Sequence, residues 1–173
     1  LQIREQLFGN AHPDYATSLN NFATYYFSLG DYNKAIEYSQ EALAIIEKVF
    51  GKTHPYYAVS LNNIAVYYSS LGDYNKAIEY VHKALIIQEK VFGKAHSDYA
   101  LLLNSLAYYY SSLGDYDKAI EYGQEALAII ENIFGKTHPE YAKLLSNFSL
   151  YYSHLGDYNK AIKYGQDALQ IRE

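Results

Sequence analysis

The amino-acid sequence predicts an all-α fold, a solenoid in which antiparallel helix pairs stack one after another. The main observation is a fixed period, because Leu-Gly-Asp-Tyr begins at Leu29 and returns at Leu71, Leu113 and Leu155, each time after 42 residues. In every copy the glycine suits the end of one helix, and the aspartate can cap the next. Apolar residues recur at helical spacing on both sides of each copy. Periods of this size are typical of stacked repeat proteins.

The 173 residues correspond to four repeats and the end of a fifth. Residues 1–8 have the phase of a helix end, and the four repeats then span residues 9–50, 51–92, 93–134 and 135–173. We expect them to form one continuous solenoid domain. The last five residues read Leu-Gln-Ile-Arg-Glu, as do residues 1–5. We therefore expect a segment cut from a longer array, or one built to look like it.

Helix A opens each repeat and runs from about residue 13 to residue 28 in the first. It begins with a His-Pro pair, since proline at the first helical position gives up no hydrogen bond. Ser97 replaces this proline in the third repeat, so we expect that helix to begin less sharply or one residue later. In the fourth repeat Ser149 replaces an apolar alanine, and its hydroxyl can bond to its own helix backbone. The apolar face follows i, i+3, i+4 and i+7 spacing, as in Leu19, Phe22, Ala23 and Tyr26.

Helix B runs from about residue 32 to residue 50 in the first repeat, a length of about 28 Å. One face is apolar, and the charged residues lie mostly on the other. The middle position holds Ser39, Val81, Gly123 and Gly165 in turn. A glycine inside a helix costs about 1 kcal/mol relative to alanine, so we expect a neighbouring helix to approach closely at the two glycines.

Composition argues against several classes of partner. The formal net charge is −5 and the isoelectric point is about 5.7, which gives no support to binding of nucleic acid or anionic membranes. No stretch approaches the roughly 18 consecutive apolar residues of a membrane-spanning helix. The chain has no cysteine, which excludes disulfides and favours a cytoplasmic location.

Polar residues do not form a catalytic or metal-binding pattern. Ser153, His154 and Asp157 crowd one helix end, with nothing that predicts an oxyanion hole, and the glycines are isolated helix stops. Histidines at the helix starts are separated by about 10 Å or more, whereas the ligands of one zinc ion each lie about 2 Å from it. We expect them to be helix-entry residues and expect no cofactor, no metal and no enzymatic activity. These histidines are His12, His54, His96 and His138.

The repeated motif resembles the tetratricopeptide repeat. The matching positions are Leu19-x-x-Phe22-Ala23-x-x-Tyr26, then Gly30-Asp31-Tyr32-x-x-Ala35, then Ala42-Leu43. The usual unit has 34 residues, a tryptophan at the first of these positions and a proline closing helix B; this chain has leucine there and lacks that proline. The longer period and the Gly-Lys-Thr-His-Pro linkers resemble the kinesin-light-chain type. This resemblance implies a right-handed superhelix whose A helices line a concave groove, and a protein–protein interaction module that binds an extended peptide or a partner helix there.

The resemblance also assigns groove positions to the A helices. In the first two repeats they are Thr17, Asn20, Asn21, Thr24, Phe27, Val59, Asn62, Asn63, Val66 and Ser69, and in the last two they are Leu101, Asn104, Ser105, Tyr108, Ser111, Lys143, Ser146, Asn147, Leu150 and Ser153. Asparagine can both donate to and accept from a peptide backbone, and two asparagine ladders occupy these positions. The inner ladder is Asn21, Asn63 and Asn147, interrupted by Ser105, and the adjacent ladder is Asn20, Asn62 and Asn104. The alternative for both is that the amides cap or bridge neighbouring A helices.

Two further groove positions stand out. Tyr108 is the one tyrosine that projects into the groove, whereas the others mostly fall at core positions. Lys143 is the one projected cation, and there is no arginine, so we do not expect a clamp for a peptide carboxylate. A neutral and lightly apolar groove predicts a cargo that is neither strongly acidic nor strongly basic.

The two ends of the chain form a separate candidate surface. The last helix B has no helix A after it, which leaves the apolar face around Ile162 and Leu169 without its cover, and no polar capping helix is present. Leu1, Ile3, Leu7 and Phe8 form a complementary half-helix at the other end. The alternative function is therefore a structural or engineered repeat scaffold that self-assembles, either end to end or by helix exchange.

Overall fold

The structure is a computed structural model that describes residues 12–172. These residues form eight α-helices and no β-strand. The helices are α1 (Pro13–Ser28), α2 (Tyr32–Phe50), α3 (Pro55–Ser70), α4 (Tyr74–Phe92), α5 (Ser97–Ser112), α6 (Tyr116–Phe134), α7 (Pro139–His154) and α8 (Tyr158–Arg172). Odd-numbered helices are the predicted A helices and even-numbered helices are the B helices, which confirms the all-α prediction. The helix end predicted at residues 1–8 lies outside the described residues.

The chain divides into two compact units, residues 1–91 and residues 92–173. In the first unit α1 packs against α2, and α2 packs against α3. In the second unit α5 packs against α6, α6 against α7, and α7 against α8. Helix A therefore contacts helix B of its own repeat, and helix B contacts helix A of the next repeat within the unit. Stacking of this kind covers apolar faces that a single helix pair would leave open.

The Leu-Gly-Asp-Tyr corners follow the sequence prediction. Gly30 has a φ of 79°, a left-handed conformation that a residue with a Cβ adopts only with strain. The backbone N–H of Asp31 then donates to the carbonyl of Tyr26 at 2.9 Å. The side chain of Asp31 accepts from the N–H of Lys34 at 3.2 Å and so caps α2. The corners at Asp73, Asp115 and Asp157 repeat this bond.

Aromatic and charged side chains tie each corner to its helix pair. In the first repeat Tyr26 stacks on Tyr38, with ring centroids 5.3 Å apart. The ammonium of Lys34 lies 4.9 Å from the Tyr26 centroid and 3.3 Å from the carboxylate of Asp31. The other three repeats have the same arrangement. Much of the tyrosine content is therefore structural, and each stack is worth about 0.5–1.5 kcal/mol beyond its buried area.

The histidines cap the A helices, which corrects the prediction for the third repeat. Nδ1 of each histidine accepts from the backbone N–H two residues later at 3.2 Å, in all four repeats. The helix α5 begins at Ser97, the position equivalent to Pro13, and not one residue later. Capping by His96 therefore fixes this helix start without the proline. Three of the histidines also stack on the phenylalanine that ends the preceding helix, such as His138 on Phe134 at 4.4 Å.

Ser149 makes a different hydrogen bond from the one expected. Its hydroxyl donates to the carbonyl of Ala161 on α8 at 2.8 Å, so it joins two helices instead of bonding to its own helix. The same position in the other repeats holds the fully buried Ala23, Ala65 and Ala107. The close approach expected at Gly123 is present, because the ring of Phe148 lies against it.

Candidate functional site

Each unit exposes apolar and polar side chains on its A helices, at the positions that the resemblance assigned to a groove. We call these surfaces the A-helix faces. In the first unit the face carries the exposed Thr17, Asn21, Thr24, Val59 and Val66 on α1 and α3. In the second unit it carries the exposed Leu101, Tyr108, Lys143 and Leu150 on α5 and α7. Removal of exposed valine and leucine side chains from water is energetically favourable. These faces are therefore suited to contact another apolar surface.

A pocket of about 160 Å³ opens on the A-helix face of the first unit. The exposed Thr17, Tyr56 and Val59 stand at its rim, and Asn20 also lines it. Its inner wall is made of buried residues of α1, α2 and α3, namely Ala16, Ile46 and Ser60. No residue that lines the pocket carries a formal charge; the remaining two are Pro13 and Phe50. The pocket therefore offers a neutral, largely apolar space between two A helices.

A small side chain forms part of the inner wall of this pocket. Ser60 is 2% exposed and lines the pocket. The equivalent residue on α7, 84 positions later, is Leu144, which is 4% exposed. The position therefore carries a larger buried side chain in the second unit than in the first. Ser60 was not among the predicted site residues, although the sequence has serine here where the two later repeats have leucine.

The asparagine ladders differ between the two units. In the second unit Nδ2 of Asn147 donates to Oδ1 of Asn104 at 3.0 Å, so these two amides bridge neighbouring A helices, as the alternative interpretation expected. In the first unit Oδ1 of Asn20 is buried and has no hydrogen-bond partner. Oδ1 of Asn62 is buried in the same way. Asn21 is exposed and Asn63 is partly buried; their contact with a peptide stays a prediction.

The other predicted groove residues, Ser105, Lys143 and Tyr108, each contact another residue of the chain. The hydroxyl of Ser105 donates to the carbonyl of Leu101 on its own helix at 3.1 Å. Nζ of Lys143 lies 3.6 Å from the carboxylate of Glu140, which lowers its value as a partner for an anionic cargo. Tyr108 is exposed and packs edge to face against Tyr109, with centroids 5.7 Å apart. Its role in binding stays a prediction.

Metal binding, catalysis at His154 and membrane insertion find little support among residues 12–172. In that range no three histidine, aspartate or glutamate side chains come close enough together to hold a metal ion. His154 is engaged in a stack on Tyr116, with ring centroids 4.9 Å apart. No helix in the described part of the chain is long and apolar enough to cross a membrane.

The predicted self-association residues are described at one end only. On α8, Ile162 is 59% exposed and Leu169 is 62% exposed, whereas the neighbouring Ala161 and Ala168 are buried. Leu1, Ile3, Leu7 and Phe8 lie outside the described residues. Self-association through these residues stays a prediction.

Comparison with known proteins agrees with this architecture. A family model described as tetratricopeptide repeat matches the chain in four overlapping segments, residues 1–48, 23–90, 65–132 and 98–173. Among curated protein sequences, none matches the chain significantly.

Solved structures share the fold. The crystal structure of BtubC (BKLC) from P. vanneervenii matches with a TM-score of 0.84 and 27% identity, over 93% of this chain and 65% of that chain. The crystal structure described as "Podosopora anserina putative kinesin light chain nearly identical TPR-like repeats" matches with a TM-score of 0.82 and 22% identity, over 99% of this chain and 81% of that chain. The crystal structure of MamA matches with a TM-score of 0.67 and 21% identity, over 94% of this chain and 81% of that chain. The chain thus spans about two thirds of the length of BtubC.

Proposed function

Because the chain belongs to the tetratricopeptide repeat family, we propose that it binds an extended peptide across the A-helix face of its first unit, with one apolar side chain of the peptide in the pocket. Tetratricopeptide repeat proteins generally mediate protein–protein interaction or act as scaffolds. The observation that carries the proposal is the neutral pocket between α1 and α3, at positions that the family uses for contact with partners.

The size of the pocket indicates the kind of side chain. An apolar cavity of about 150 Å³ in another protein accommodates a benzene molecule, and this pocket measures about 160 Å³. One leucine or phenylalanine side chain is therefore an appropriate occupant. Burial of such a side chain contributes about 1.5–3 kcal/mol, which is enough to dominate the affinity of a short peptide.

Asn20 supplies the polar contact beside the apolar one. A buried acceptor without a partner costs about 1–3 kcal/mol, and Oδ1 of Asn20 is such an acceptor at the edge of the pocket. An Asn20 amide turned towards the pocket would pair with the backbone of a bound peptide whatever the peptide sequence. In the second unit the equivalent oxygen of Asn104 is already occupied by Asn147. This difference favours the first unit as the peptide site.

The charge of the pocket limits the cargo. No charged side chain lines it, so an acidic or basic residue of the peptide would lose its hydration there without gaining a partner. We therefore expect a cargo motif with one large apolar residue flanked by small or polar neutral residues.

The test is selection of a peptide library on the purified full chain, followed by fluorescence anisotropy with the enriched peptides. The key variant is Ser60→Leu, which fills the pocket with the side chain that α7 carries at Leu144. The matched control is Ser70→Leu, an exposed serine on the same helix that does not line the pocket. A second variant changes Asn21 and Asn63 together to alanine. Circular dichroism checks that each variant is folded.

We expect Ser60→Leu to weaken binding by about tenfold or more, since each 1.4 kcal/mol corresponds to a factor of ten, and Ser70→Leu to leave it unchanged. Loss of binding in the double asparagine variant would extend the site along the inner ladder of the first unit. If no peptide is enriched, or if enriched peptides bind the Ser60→Leu variant as well as the parent, the proposal is wrong.

A further inference from the structure

Three aromatic rings meet at the pocket of the first unit, where α2, the linker after it and α3 come together. The ring of His54 lies 4.7 Å from the ring of Phe50 and 4.9 Å from the ring of Tyr56, measured between centroids. Phe50 and Tyr56 also meet each other edge to face at 5.6 Å. We call these three residues the ring cluster. Phe50 and Tyr56 line the pocket, and His54 supports both of their rings.

His54 also fixes the backbone of this wall. It is the N-cap of α3, and its Nδ1 accepts from the backbone N–H of Tyr56 at 3.2 Å. An imidazole nitrogen accepts a hydrogen bond only when it carries no proton, so this bond requires the neutral ring. The position of Tyr56 at the rim of the pocket therefore depends on the protonation state of His54, through the backbone as well as through the ring contact.

A proton on His54 is incompatible with this arrangement. Histidine side chains change charge between about pH 8 and pH 5. In the charged ring Nδ1 carries a hydrogen, so two donors, Nδ1–H and the N–H of Tyr56, would face each other at 3.2 Å. The positive end of the helix dipole also disfavours a cation at the start of α3. Aromatic rings attract a cation, but the charged ring keeps that attraction only by staying where the two donors face each other.

Other histidine caps have a carboxylate beside them, which His54 lacks. Nδ1 of His12 lies 3.7 Å from the carboxylate of Asp14, and Nδ1 of His96 lies 3.7 Å from that of Asp98. A carboxylate at this distance favours the charged form of histidine. The residue at the equivalent position after His54 is Tyr56, which brings no negative charge. A proton is therefore compensated at those two caps and not at His54.

Neighbouring segments do not supply the missing charge. The other ionisable groups of the last turn of α2, the linker and the first turn of α3 are Glu47, Lys48, Lys52 and Tyr57. Glu47 is engaged, because its carboxylate lies 3.2 Å from Nζ of Lys52 and accepts from the hydroxyl of Tyr57 at 3.5 Å. On α1, which also packs on α2, Asp14 lies beside His12. Among the described residues, no carboxylate is at ion-pair distance from His54.

On the basis of the proposed function, we infer that protonation of His54 releases the bound peptide, so that the site of the first unit is sensitive to mildly acidic pH. The neutral ring holds Phe50 and Tyr56 in the wall that the peptide contacts, and the charged ring gives up the capping bond and leaves them. Because the peptide binds the form without the proton, its binding in turn expels the proton. Release of one proton on binding changes Kd by at most about tenfold per pH unit.

Fluorescence anisotropy on the full chain tests this inference with an enriched peptide that contains no group titrating in this range. At about pH 7.5, 6.5 and 5.5 we expect Kd to rise as the pH falls, by at least about threefold in all. His54→Asn keeps a capping acceptor that does not titrate, so its Kd should not change with pH. The matched control is His138→Asn, which alters a cap of the second unit and should keep the parent's pH dependence.

Two further measurements complete the test. The isoelectric point of the chain is about 5.7, so sedimentation velocity at each pH checks that its oligomeric state is unchanged. NMR titration of the His54 ring, with and without saturating peptide, reports the proton directly. Because binding expels the proton, we expect the titration midpoint of His54 to lie at lower pH in the complex than in the free chain.

The outcomes separate this inference from the function on which it rests. If no peptide binds at about pH 7.5, the proposed function is wrong and the inference fails with it. If peptide binds equally at all three pH values, or if His54→Asn depends on pH as the parent does, only the inference is wrong. Binding that strengthens as the pH falls also overturns it, because the rings of Phe50 and Tyr56 would then hold the charged form. Equal midpoints in the free chain and the complex overturn it as well.

Discussion

The ring of Phe148 on α7 lies so close to Gly123 on α6 that a Cβ atom on the glycine would be 3.0 Å from Cζ and 3.2 Å from Cε1. Phe148 is almost completely buried by this contact and its neighbours. A glycine within a helix costs about 1 kcal/mol relative to alanine. The close approach of a large aromatic ring offsets that cost, because dispersion contacts require a neighbour at short range.

The first prediction concerns this pair. Gly123→Ala should destabilise the parent by roughly 0–2 kcal/mol, since overpacking costs about 1–3 kcal/mol and the better helix propensity returns about 1 kcal/mol. In a Phe148→Leu background the added methyl group meets a smaller side chain, so the same substitution should instead stabilise by up to about 1 kcal/mol. Urea denaturation of the four variants gives the coupling energy. A coupling energy near zero would show that the ring moves aside freely and that Gly123 has another role.

The second prediction concerns the histidine caps. His138→Ala should lower the free energy of unfolding by about 0.5–2 kcal/mol, the usual cost of losing a capping side chain, because Nδ1 no longer accepts from the N–H of Glu140. His138→Asp should restore most of the loss, since a carboxylate accepts the same hydrogen bond and suits a helix N-terminus. Chemical denaturation measures both effects. If the aspartate variant is as unstable as the alanine variant, the stack of His138 on Phe134, and not the cap, carries the stability.

Local sequence signals were sufficient for the helices and corners. The positive φ of Gly30 and the capping bond of Asp31 depend on residues that are adjacent in the chain, so a repeated tetrapeptide predicts them. The start of α5 was mispredicted for a similar local reason. Ser97 replaces the usual proline, but Nδ1 of His96 still accepts the capping hydrogen bond, so the helix begins at the same position.

Features that join distant residues could not be read from one segment. The hydroxyl of Ser149 donates to the carbonyl of Ala161 because α8 lies close to α7 there. The spacing of apolar residues along one helix does not predict the distance between two helices. The pocket at Ser60 depends on side-chain volumes contributed by α1, α2 and α3 together. Comparison of equivalent positions between repeats would have pointed to Ser60, because a change of side-chain size at one position is visible only against the other copies.

The third prediction concerns alkaline pH. Burial raises the pKa of Tyr151 to about 12, above the value of about 10 expected for an unfolded chain. The folded state therefore holds the phenol proton more tightly than the unfolded state. Its contribution to stability is fully present below pH 10 and is lost as the pH rises from about 10 towards 12. The free energy of unfolding should fall by at most about 1.4 kcal/mol per pH unit in this window, or roughly 2–3 kcal/mol in all.

Tyr151→Phe removes this proton while keeping the ring, so the variant should lose less stability than the parent between about pH 9.5 and pH 11.5. Urea denaturation at several pH values across that window gives the difference between the two proteins. Tyr158→Phe is the matched control, since Tyr158 is two-thirds exposed and its surroundings change little on unfolding. The stability of this variant should depend on pH as that of the parent does. A constant difference between the parent and Tyr151→Phe at all pH values would mean that the hydroxyl of Tyr151 ionises equally well in the folded chain, and that the interior around α7 is open to water.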